Sequence, residues 1–371
     1  MRSNTSFTIA VLPGDGIGHE VMPPCLEVLR AAVARVGGFG LNFEEHQAGA
    51  EIYRDTGNAL PKPTMDASRR ADAILLGAMG LPHIRYPDGT EIAPQLDLRF
   101  EFGLYAGVRP VRATPGVPPV IADPRASDID LVIIRESTEG LFSSRGKGVI
   151  EDDREARDTL VITRGVSERL FDFSFRLAES RNKGGRPRVT CVDKANVFKS
   201  FAFFRKIFDE RANGFPGVEA DHVYIDATAL QLVLRPWDFD VLVTENMFGD
   251  ILSDLGAGLI GGMGYAPSAD IGDEHAVFQP CHGTAPDIAG RGLANPTAMF
   301  LSAAMMVEWL SERHGIAEAG RAGALIRAAV DRAFAAGDLL TCELGGEAGT
   351  REVTQAVLAA LDDRALAETA A

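Results

Sequence analysis

FTIAVLPGDGIG, at residues 7–18, decides the fold class, because it predicts a buried strand that runs through a glycine turn into a helix. The helix is expected over residues 20–36. Further apolar, β-rich runs predict short strands at residues 71–76, 131–135, 189–192, 223–226 and 239–244. Strands that alternate with helices need crossover connections, so the sequence predicts an α/β protein with a mostly parallel sheet.

Composition and charge restrict the function. The 371 residues are 46% hydrophobic, and 37 Lys and Arg stand against 52 Asp and Glu, a formal net charge of −15. Such an acidic chain argues against nucleic-acid binding, which depends on a basic face. No apolar run reaches the ~20 residues of a membrane span, and residues 1–6 do not resemble a secretion signal. The four scattered cysteines form no zinc or CxxC motif, so we expect a cytoplasmic protein without membrane or nucleic-acid partners.

The glycine turn GDGIG admits two interpretations. Backbone N–H groups at a helix start suit a phosphate or the edge of a cofactor. The third glycine, Gly18, comes too early for the G-x-G-x-x-G dinucleotide fingerprint. A purely structural strand-to-helix turn explains the motif equally well.

Two aspartates four residues apart suggest a cation site. Asp250 and Asp254, in NMFGDILSD, lie on one face of a predicted helix, where like charges destabilise it unless a cation lies between them. Hard divalent ions prefer carboxylate oxygens, and Asp226, at the end of the predicted strand 223–226, could supply a third ligand. The alternative is one capping and one solvated aspartate.

Basic side chains beside predicted strands suggest an anion site. Arg99, Arg109 and Arg135 suit bidentate binding of carboxylates, although a structural salt bridge would explain any one of them. Lys194 follows the predicted strand 189–192 and, beside a cation and arginines, would have a lowered pKa and could act as a base. An ordinary surface lysine is the alternative.

Together, these segments resemble the isocitrate/isopropylmalate dehydrogenase family in their order and spacing. The matching segments are LPGDGIG, Leu98-Arg99 through Arg109-Pro110, Arg135-Glu136, VDKANV, NMFGDILSD and HGTAPDIAGRGLANP. The resemblance extends over nearly the whole chain and implies a two-domain α/β fold with a mixed, largely parallel sheet that is not a Rossmann fold. Residues 1–104 and 261–371 would form a first, cofactor-side domain. Residues 105–260 would form a second domain with the dimer interface and a clasp arm near residues 140–164.

The resemblance also implies a reaction, the NAD-dependent oxidative decarboxylation of a (2R)-malate-type 2-hydroxy dicarboxylic acid. Asp226, Asp250 and Asp254 would hold Mg²⁺ or Mn²⁺. Lys194 and Asp226 would be catalytic, with Lys194 taking the hydroxyl proton. Both would come from the partner subunit of a homodimer, so the active sites would be shared between subunits.

Substrate and cofactor contacts follow from the same resemblance. The arginines at positions 99, 109 and 135 would bind the carboxylate that leaves as CO₂. The residues implied in NAD binding are His282, Gly283, Asp287, Ile288, Asn295 and Asn196. Asp287 lies where the family binds the adenosine ribose, and a carboxylate there would repel the 2′-phosphate of NADP.

Two departures from the family pattern bear on the substrate. Phe142 replaces a tyrosine whose hydroxyl helps to protonate the enol, so either another group substitutes or the last step is slow. Gln95 interrupts the apolar wall with which isopropylmalate enzymes bind the isopropyl group. We expect a 3-isopropylmalate-like substrate, with a tartrate/D-malate dehydrogenase or a catalytically degenerate regulatory subunit as alternatives.

Overall fold

The computed structural model describes residues 5–363. The helices are α1 (Gly18–Val36), α2 (Ala50–Thr56), α3 (Lys62–Arg70), α4 (Pro94–Glu101), α5 (Arg164–Arg181), α6 (Lys199–Ala212), α7 (Ile225–Leu234), α8 (Asn246–Leu259), α9 (Thr297–His314), α10 (Ala317–Phe334) and α11 (Thr350–Leu361). The strands are β1 (Thr5–Gly14), β2 (Phe39–Glu45), β3 (Ala73–Ala78), β4 (Ala106–Arg112), β5 (Asp130–Glu136), β6 (Val149–Glu151), β7 (Glu155–Arg157), β8 (Arg188–Asp193), β9 (Glu219–Tyr224), β10 (Val241–Thr244), β11 (Pro267–Ile271) and β12 (Ala276–Pro280). Residues 1–4 and 364–371, at the outer ends of the predicted first domain, lie outside the described residues.

Ten of these strands form one sheet in the order β2-β1-β3-β12-β11-β4-β5-β10-β8-β9. The first four are parallel to one another, and so are the last four. Between the two groups, β11 and β4 pair antiparallel with each other and with the strands that flank them. The two parallel groups therefore run in opposite directions. This confirms the predicted α/β fold with a mixed, largely parallel sheet.

The aromatic stripe of α6 packs into the core on one side of the sheet. Phe204 and Phe208 are buried against Phe171 of α5, with ring centroids 4.6 and 5.3 Å from that ring. Phe175 extends the cluster at 5.2 Å from Phe208. Aromatic packing of this kind adds to the burial of apolar surface, so this stripe stabilises the fold.

The strand predicted at residues 223–226 ends two residues earlier than expected. β9 stops at Tyr224 and α7 begins at Ile225, so Asp226 lies in the first turn of a helix and not at the end of a strand. The run VYID favours a strand locally. However, α7 packs against α8, and this tertiary packing draws the last two residues into the helix.

Two regions present apolar side chains to solvent. The segment predicted as a clasp arm, near residues 140–164, contains the antiparallel hairpin of β6 and β7, on which Ile150 is 75% exposed. On α7 and α8, Leu230, Leu234 and Ile251 are 60%, 61% and 59% exposed. Within residues 5–363, no helix is long and apolar enough to cross a membrane.

Candidate active site

The three arginines identified in the sequence line one cavity of about 330 Å³ above the centre of the sheet. Arg109 comes from β4, Arg135 from the carboxyl end of β5, and Arg99 from α4. The remaining walls come from the end of β3, from α8 and from the loop that follows β12. Ligand sites of open α/β sheets form where the strand order changes, and this cavity lies at such a point.

A buried carboxylate without a recognisable sequence motif organises two of these arginines. The Asp270 side chain, on β11, is 1% exposed. Arg99 Nε donates to its Oδ2 and Arg109 Nη2 to its Oδ1, both at 2.9 Å. Burial alone would raise the pKa of Asp270, but the charges of Arg109 and Arg99 outweigh it and lower this pKa to about 2. Asp270 is therefore ionised at neutral pH and fixes both guanidinium groups.

The two arginines differ in how much of each guanidinium group remains for a ligand. Arg109 also donates from Nη1 to the carbonyl oxygen of Ala269 at 2.8 Å. Arg99 contacts Asp270 through Nε alone, so within residues 5–363 both of its Nη groups lack a hydrogen-bond acceptor. Arg99 is therefore free to grip an anion in the cavity, whereas Arg109 mainly supplies positive charge.

Gly107 leaves the space that Asp270 occupies. In the sheet register, Gly107 of β4 lies between Asp270 on one side and Arg135 on the other. A Cβ atom on Gly107 would lie 2.6 Å from Ser137 Oγ and 3.1 Å from Asp270 Oδ1. A larger residue would push the carboxylate away from its arginines, so glycine is needed here for close packing.

Arg135 joins the sheet to α8. Its Nε and Nη2 donate to Asn246 Oδ1 at 3.0 and 2.8 Å, and its Nη1 pairs with Asp250. Gly249 permits this approach, because a Cβ atom there would lie 2.6 Å from Arg135 Cβ. Burial, and then the charge of Arg99, lower the pKa of Arg135 to about 10, so it remains a cation at neutral pH.

Asp250 and Asp254 line the same cavity, as their helical spacing predicts. Burial, and then the charge of Asp250, raise the pKa of Asp254. A divalent cation would relieve this crowding, and paired carboxylate oxygens fit Mg²⁺ or Mn²⁺. Within residues 5–363, however, no group of three or more His, Cys, Asp or Glu is arranged to hold a metal ion. One chain therefore offers two of the three predicted ligands.

The third predicted ligand and the predicted base lie elsewhere. Lys194 Nζ donates to Asp226 Oδ1 at 2.5 Å, and neither residue lines the cavity. Their side chains are 23% and 70% exposed. The hydrogen bond from Lys194 lowers the pKa of Asp226. Within one chain, Asp226 therefore does not join Asp250 and Asp254.

The glycine turn serves the fold rather than a phosphate. Ile17 N donates to the carbonyl oxygen of Thr284 at 2.9 Å, and a Cβ atom on Gly16 would lie 2.3 Å from that oxygen. The Asp15 carboxylate is buried and accepts from the backbone N of Ala50, Glu51 and Gly80. Since the turn packs tightly on residues 281–290, it positions the loop in which most of the predicted cofactor contacts lie.

That loop places two predicted cofactor residues on the cavity wall, His282 and Gly283. His282 Nδ1 lies 2.9 Å from the carbonyl oxygen of Gly283, and its Nε2 is buried without a partner in the described chain. Burial lowers the pKa of His282, which favours the neutral ring. In that form Nδ1 donates to the carbonyl, and Nε2 is an acceptor for a ligand donor.

The other predicted cofactor residues differ in their surroundings. Asp287 is exposed and Ile288 is half-buried on the same loop. The side chain of Asn295 is already engaged, since its Nδ2 donates to Glu343 at 2.7 Å and its Oδ1 accepts from Thr297. Asn196 is exposed in the turn after β8 and does not line the cavity. Among the predicted cofactor residues of the described chain, His282, Gly283, Asp287 and Ile288 therefore share one loop, whereas Asn196 lies away from the cavity.

Gln95 and Phe142 line the same cavity, and their contact with substrate remains a prediction. The Phe142 ring centroid lies 4.9 Å from the guanidinium carbon of Arg135, a cation–π contact. Gln95 Oε1 is buried and accepts no hydrogen bond within residues 5–363. A buried amide oxygen of this kind favours a ligand that can donate to it.

Comparisons with known proteins identify the family of the chain. A sequence profile of the isocitrate/isopropylmalate dehydrogenase family matches residues 8–357. The 3-isopropylmalate/3-methylmalate dehydrogenase of Methanocaldococcus jannaschii is 42% identical over 351 residues, 94% of this chain and 97% of that protein. The isocitrate/homoisocitrate dehydrogenase of Thermus thermophilus is 41% identical over 365 residues, 96% of this chain and 99% of that protein. A crystal structure of isocitrate dehydrogenase from Methylococcus capsulatus aligns with a TM-score of 0.83 at 35% identity, covering 96% of this chain and 100% of that one.

Proposed function

The chain belongs to the isocitrate/isopropylmalate dehydrogenase family, and on that premise we propose that it oxidises and decarboxylates a 3-isopropylmalate-like (2R)-malate with NAD and a divalent metal ion. The family and its relatives are decarboxylating dehydrogenases, so the chain is an enzyme. Relatives named for different substrates are 42% and 41% identical to this chain. Overall sequence identity therefore does not identify the substrate, which has to be inferred from the residues that line the cavity.

One observation carries the proposal. A single cavity combines three arginines with Asp250 and Asp254. Arginines without the carboxylates would suit any anion, and the carboxylates alone would suit any cation. Both sets in about 330 Å³ suit a small dicarboxylic acid bound together with a divalent ion.

The proposed roles follow from the contacts. When bound, Mg²⁺ or Mn²⁺ acts as a Lewis acid that polarises the 2-hydroxyl and the adjacent carboxylate of the substrate. Arg99 binds the departing carboxylate through its free Nη groups, while Arg109 and Arg135 contribute positive charge. Asp226 would be a ligand of that ion, and Lys194, in its neutral form, would accept the hydroxyl proton at Nζ.

NAD is the proposed oxidant, bound along the loop at residues 281–290. His282 Nε2 offers an acceptor, and Gly283 leaves the loop open to a flat ligand. Asp287, exposed on the same loop, is the proposed partner of the ribose hydroxyls and the residue that excludes NADP.

We also propose the two-domain division and the shared homodimer. β1, β2, β3, β11 and β12 fall in residues 1–104 and 261–371, while β4, β5, β8, β9 and β10 fall in residues 105–260. The exposed apolar side chains of α7 and α8 support an interface beside Asp226. Such an interface would bring Lys194 and Asp226 of one subunit to the cavity of the other.

Gln95 favours a second candidate, a tartrate/D-malate dehydrogenase. Among the described residues no group donates to its buried Oε1, and the 3-hydroxyl of tartrate can do so whereas an isopropyl group cannot. A catalytically degenerate regulatory subunit, the remaining alternative, has less support, because it need not retain Asp226, Asp250, Asp254 and Lys194 together.

An NADH absorbance assay tests the proposal. The purified chain with Mn²⁺ is assayed against (2R,3S)-3-isopropylmalate, D-malate, tartrate and isocitrate. We expect NADH and CO₂ in equal amounts with the first substrate. Higher kcat/KM with tartrate would favour the second candidate, and no NADH from any of the four would contradict the proposal.

A further inference from the structure

A second cavity lies on the opposite face of the same sheet. It has a volume of about 520 Å³, within the range of about 300–1,000 Å³ of small-molecule pockets. Its wall is mostly apolar and is formed by α5, by α9 and by the central strands. Within this wall, Phe278 and Trp309 pack with ring centroids 5.9 Å apart, and Phe173 and Leu177 of α5 are half-buried. We call it the back cavity.

The back cavity and the active-site cavity share their strands. On β4, Val108 and Pro110 line the back cavity, while Arg109 between them lines the active-site cavity. On β12, Phe278 and Gln279 likewise line opposite cavities. Alternate residues of a strand point to opposite faces, so a movement of these strands changes both cavities.

Two opposite charges in the back cavity lack partners. Arg176, on α5, and Glu312, on α9, both line it and are exposed at the sides of the two helices. Within residues 5–363, neither side chain forms an ion pair or a side-chain hydrogen bond. Burial, and then the charge of Glu308, raise the pKa of Glu312, which indicates that no cation compensates it. By contrast, Arg327 deeper in the same cavity is held by Glu308 through two contacts of 2.7 Å.

We propose that the back cavity is an effector site for an apolar α-amino acid. The carboxylate of the amino acid pairs with Arg176, its ammonium group pairs with Glu312, and its apolar side chain packs against Phe278 and Trp309. A zwitterion matches an unpaired cation and an unpaired carboxylate beside an apolar chamber, whereas a fatty acid or an amine matches only one of the two charges.

The two helices at the entrance of the back cavity indicate whether the effector would strengthen or weaken substrate binding. α5 packs on β5, β8 and β10, and α9 packs on β3, β11 and β12. An amino acid between α5 and α9 therefore keeps the two strand groups apart on the back face. The same displacement brings them together on the front face, where Arg99, Asp250 and Gln279 lie. The bound amino acid is thus expected to lower KM for the hydroxy acid.

Calorimetry with L-leucine, on the full chain without substrate, tests the binding site. We expect one bound leucine per chain, and binding about tenfold or more weaker in Arg176→Gln and in Glu312→Gln. The matched controls Arg351→Gln and Glu179→Gln change exposed charges outside the back cavity and should leave binding unchanged. Leu177→Trp, which fills the chamber, should abolish it.

Two further probes distinguish other ligand classes. 4-Methylpentanoate lacks the ammonium group and 3-methylbutylamine lacks the carboxylate, so each should bind far more weakly than leucine. Equal binding of 4-methylpentanoate, or no effect of Glu312→Gln, would overturn the amino-acid assignment in favour of a simple carboxylate site. Absence of leucine binding to the wild-type chain would overturn the proposal altogether.

Steady-state kinetics test the effector role separately. Leucine should lower KM for the hydroxy acid in the wild-type enzyme and leave it unchanged in Arg176→Gln. Leucine binding with an unchanged KM would overturn the effector role. Because calorimetry needs no turnover, failure of the proposed dehydrogenase activity and failure of the leucine site are distinguishable.

Discussion

Two ion-paired regions of the proposed active site differ sharply in burial. Asp270 with Arg99 and Arg109 forms a cluster of ion-paired side chains that are at most 8% exposed, and only the Nη groups of Arg99 remain for a ligand within residues 5–363. Lys194 and Asp226 form the other pair at the surface, 23% and 70% exposed. The first region is complete in one chain. The second pairs residues of opposite charge beside apolar side chains of α7 that face solvent.

This difference indicates how the proposed site is assembled. A buried carboxylate between arginines costs several kcal/mol when one partner is lost, so such a cluster has to be rigid. An exposed ion pair contributes little to stability and can exchange partners readily. We therefore expect the substrate carboxylate to be bound by the rigid cluster, and the metal and proton chemistry to be completed by the exchangeable pair of a second subunit.

The largest expected effect concerns Asp250. Asp250→Asn should lower kcat by at least about a thousandfold, because a neutral amide is a poor ligand for a hard divalent ion. The measurement is NADH formation with Mn²⁺, with circular dichroism to verify the fold. The control is Asp66→Asn, which changes a half-buried aspartate outside the cavity. Full turnover of the wild-type enzyme after exhaustive EDTA treatment would contradict the metal requirement.

Asp270→Asn should destabilise the chain by about 3–5 kcal/mol, because Arg99 and Arg109 would remain buried without a counter-ion. The pKa of Asp270 is lowered from 3.8 to about 2 in the folded chain, so ionisation contributes about 2 kcal/mol above pH 4. That contribution disappears as the pH falls through about 2. Urea unfolding from pH 6 to 2 should therefore be less pH-dependent in the variant. An equally steep loss in both proteins would show that Asp270 is not the group responsible.

Substitution of Asp287 tests the proposed cofactor loop and is expected to have a smaller effect, on the preference for NAD over NADP. The wild-type enzyme should prefer NAD over NADP in kcat/KM, and Asp287→Asn should reduce that preference about tenfold by removing charge repulsion. The exposed Asp338→Asn serves as the matched control. A wild-type enzyme that uses NADP as well as NAD would contradict the assignment.

Phe142 is expected to give the smallest effect. Phe142→Tyr restores a hydroxyl beside Arg135 and should raise kcat severalfold, less than the ~10²–10⁴-fold that general acid catalysis typically contributes. Rapid-quench kinetics should show a burst of NADH in the wild-type enzyme that shortens in the variant. No burst and no gain would mean that another donor already protonates the enol.

The sequence predicted those parts of the fold and site that depend on local pattern. β1 with its glycine turn, α1, and the i, i+4 aspartates of α8 were all found by periodicity and spacing. β11 was missed, because Asp270 within PSADI is not expected in a buried strand. Only the three-dimensional pairing with Arg99 and Arg109 explains it, although three arginines near predicted strands already imply a missing counter-ion.

Long-range packing accounts for the remaining differences. Asp226 was predicted at the end of a strand but lies in α7. The segment VYID alone does not show that α7 packs on α8. The glycine turn could not be assigned from sequence, because its role depends on the carbonyl of Thr284, far along the chain. Exposure of Lys194 and Asp226 likewise emerges only when the whole chain is folded.

Hybrid dimers test the central claim, that each active site takes Lys194 from the partner subunit, most directly. Lys194→Met and Asp250→Asn chains, each inactive alone, are co-expressed with different tags, and the hybrid is isolated by two affinity steps. If sites are shared, one site of each hybrid is intact, and about half of wild-type kcat per dimer returns. If each chain uses its own Lys194, both sites of the hybrid are defective, and no activity above that of the parent variants would contradict the claim.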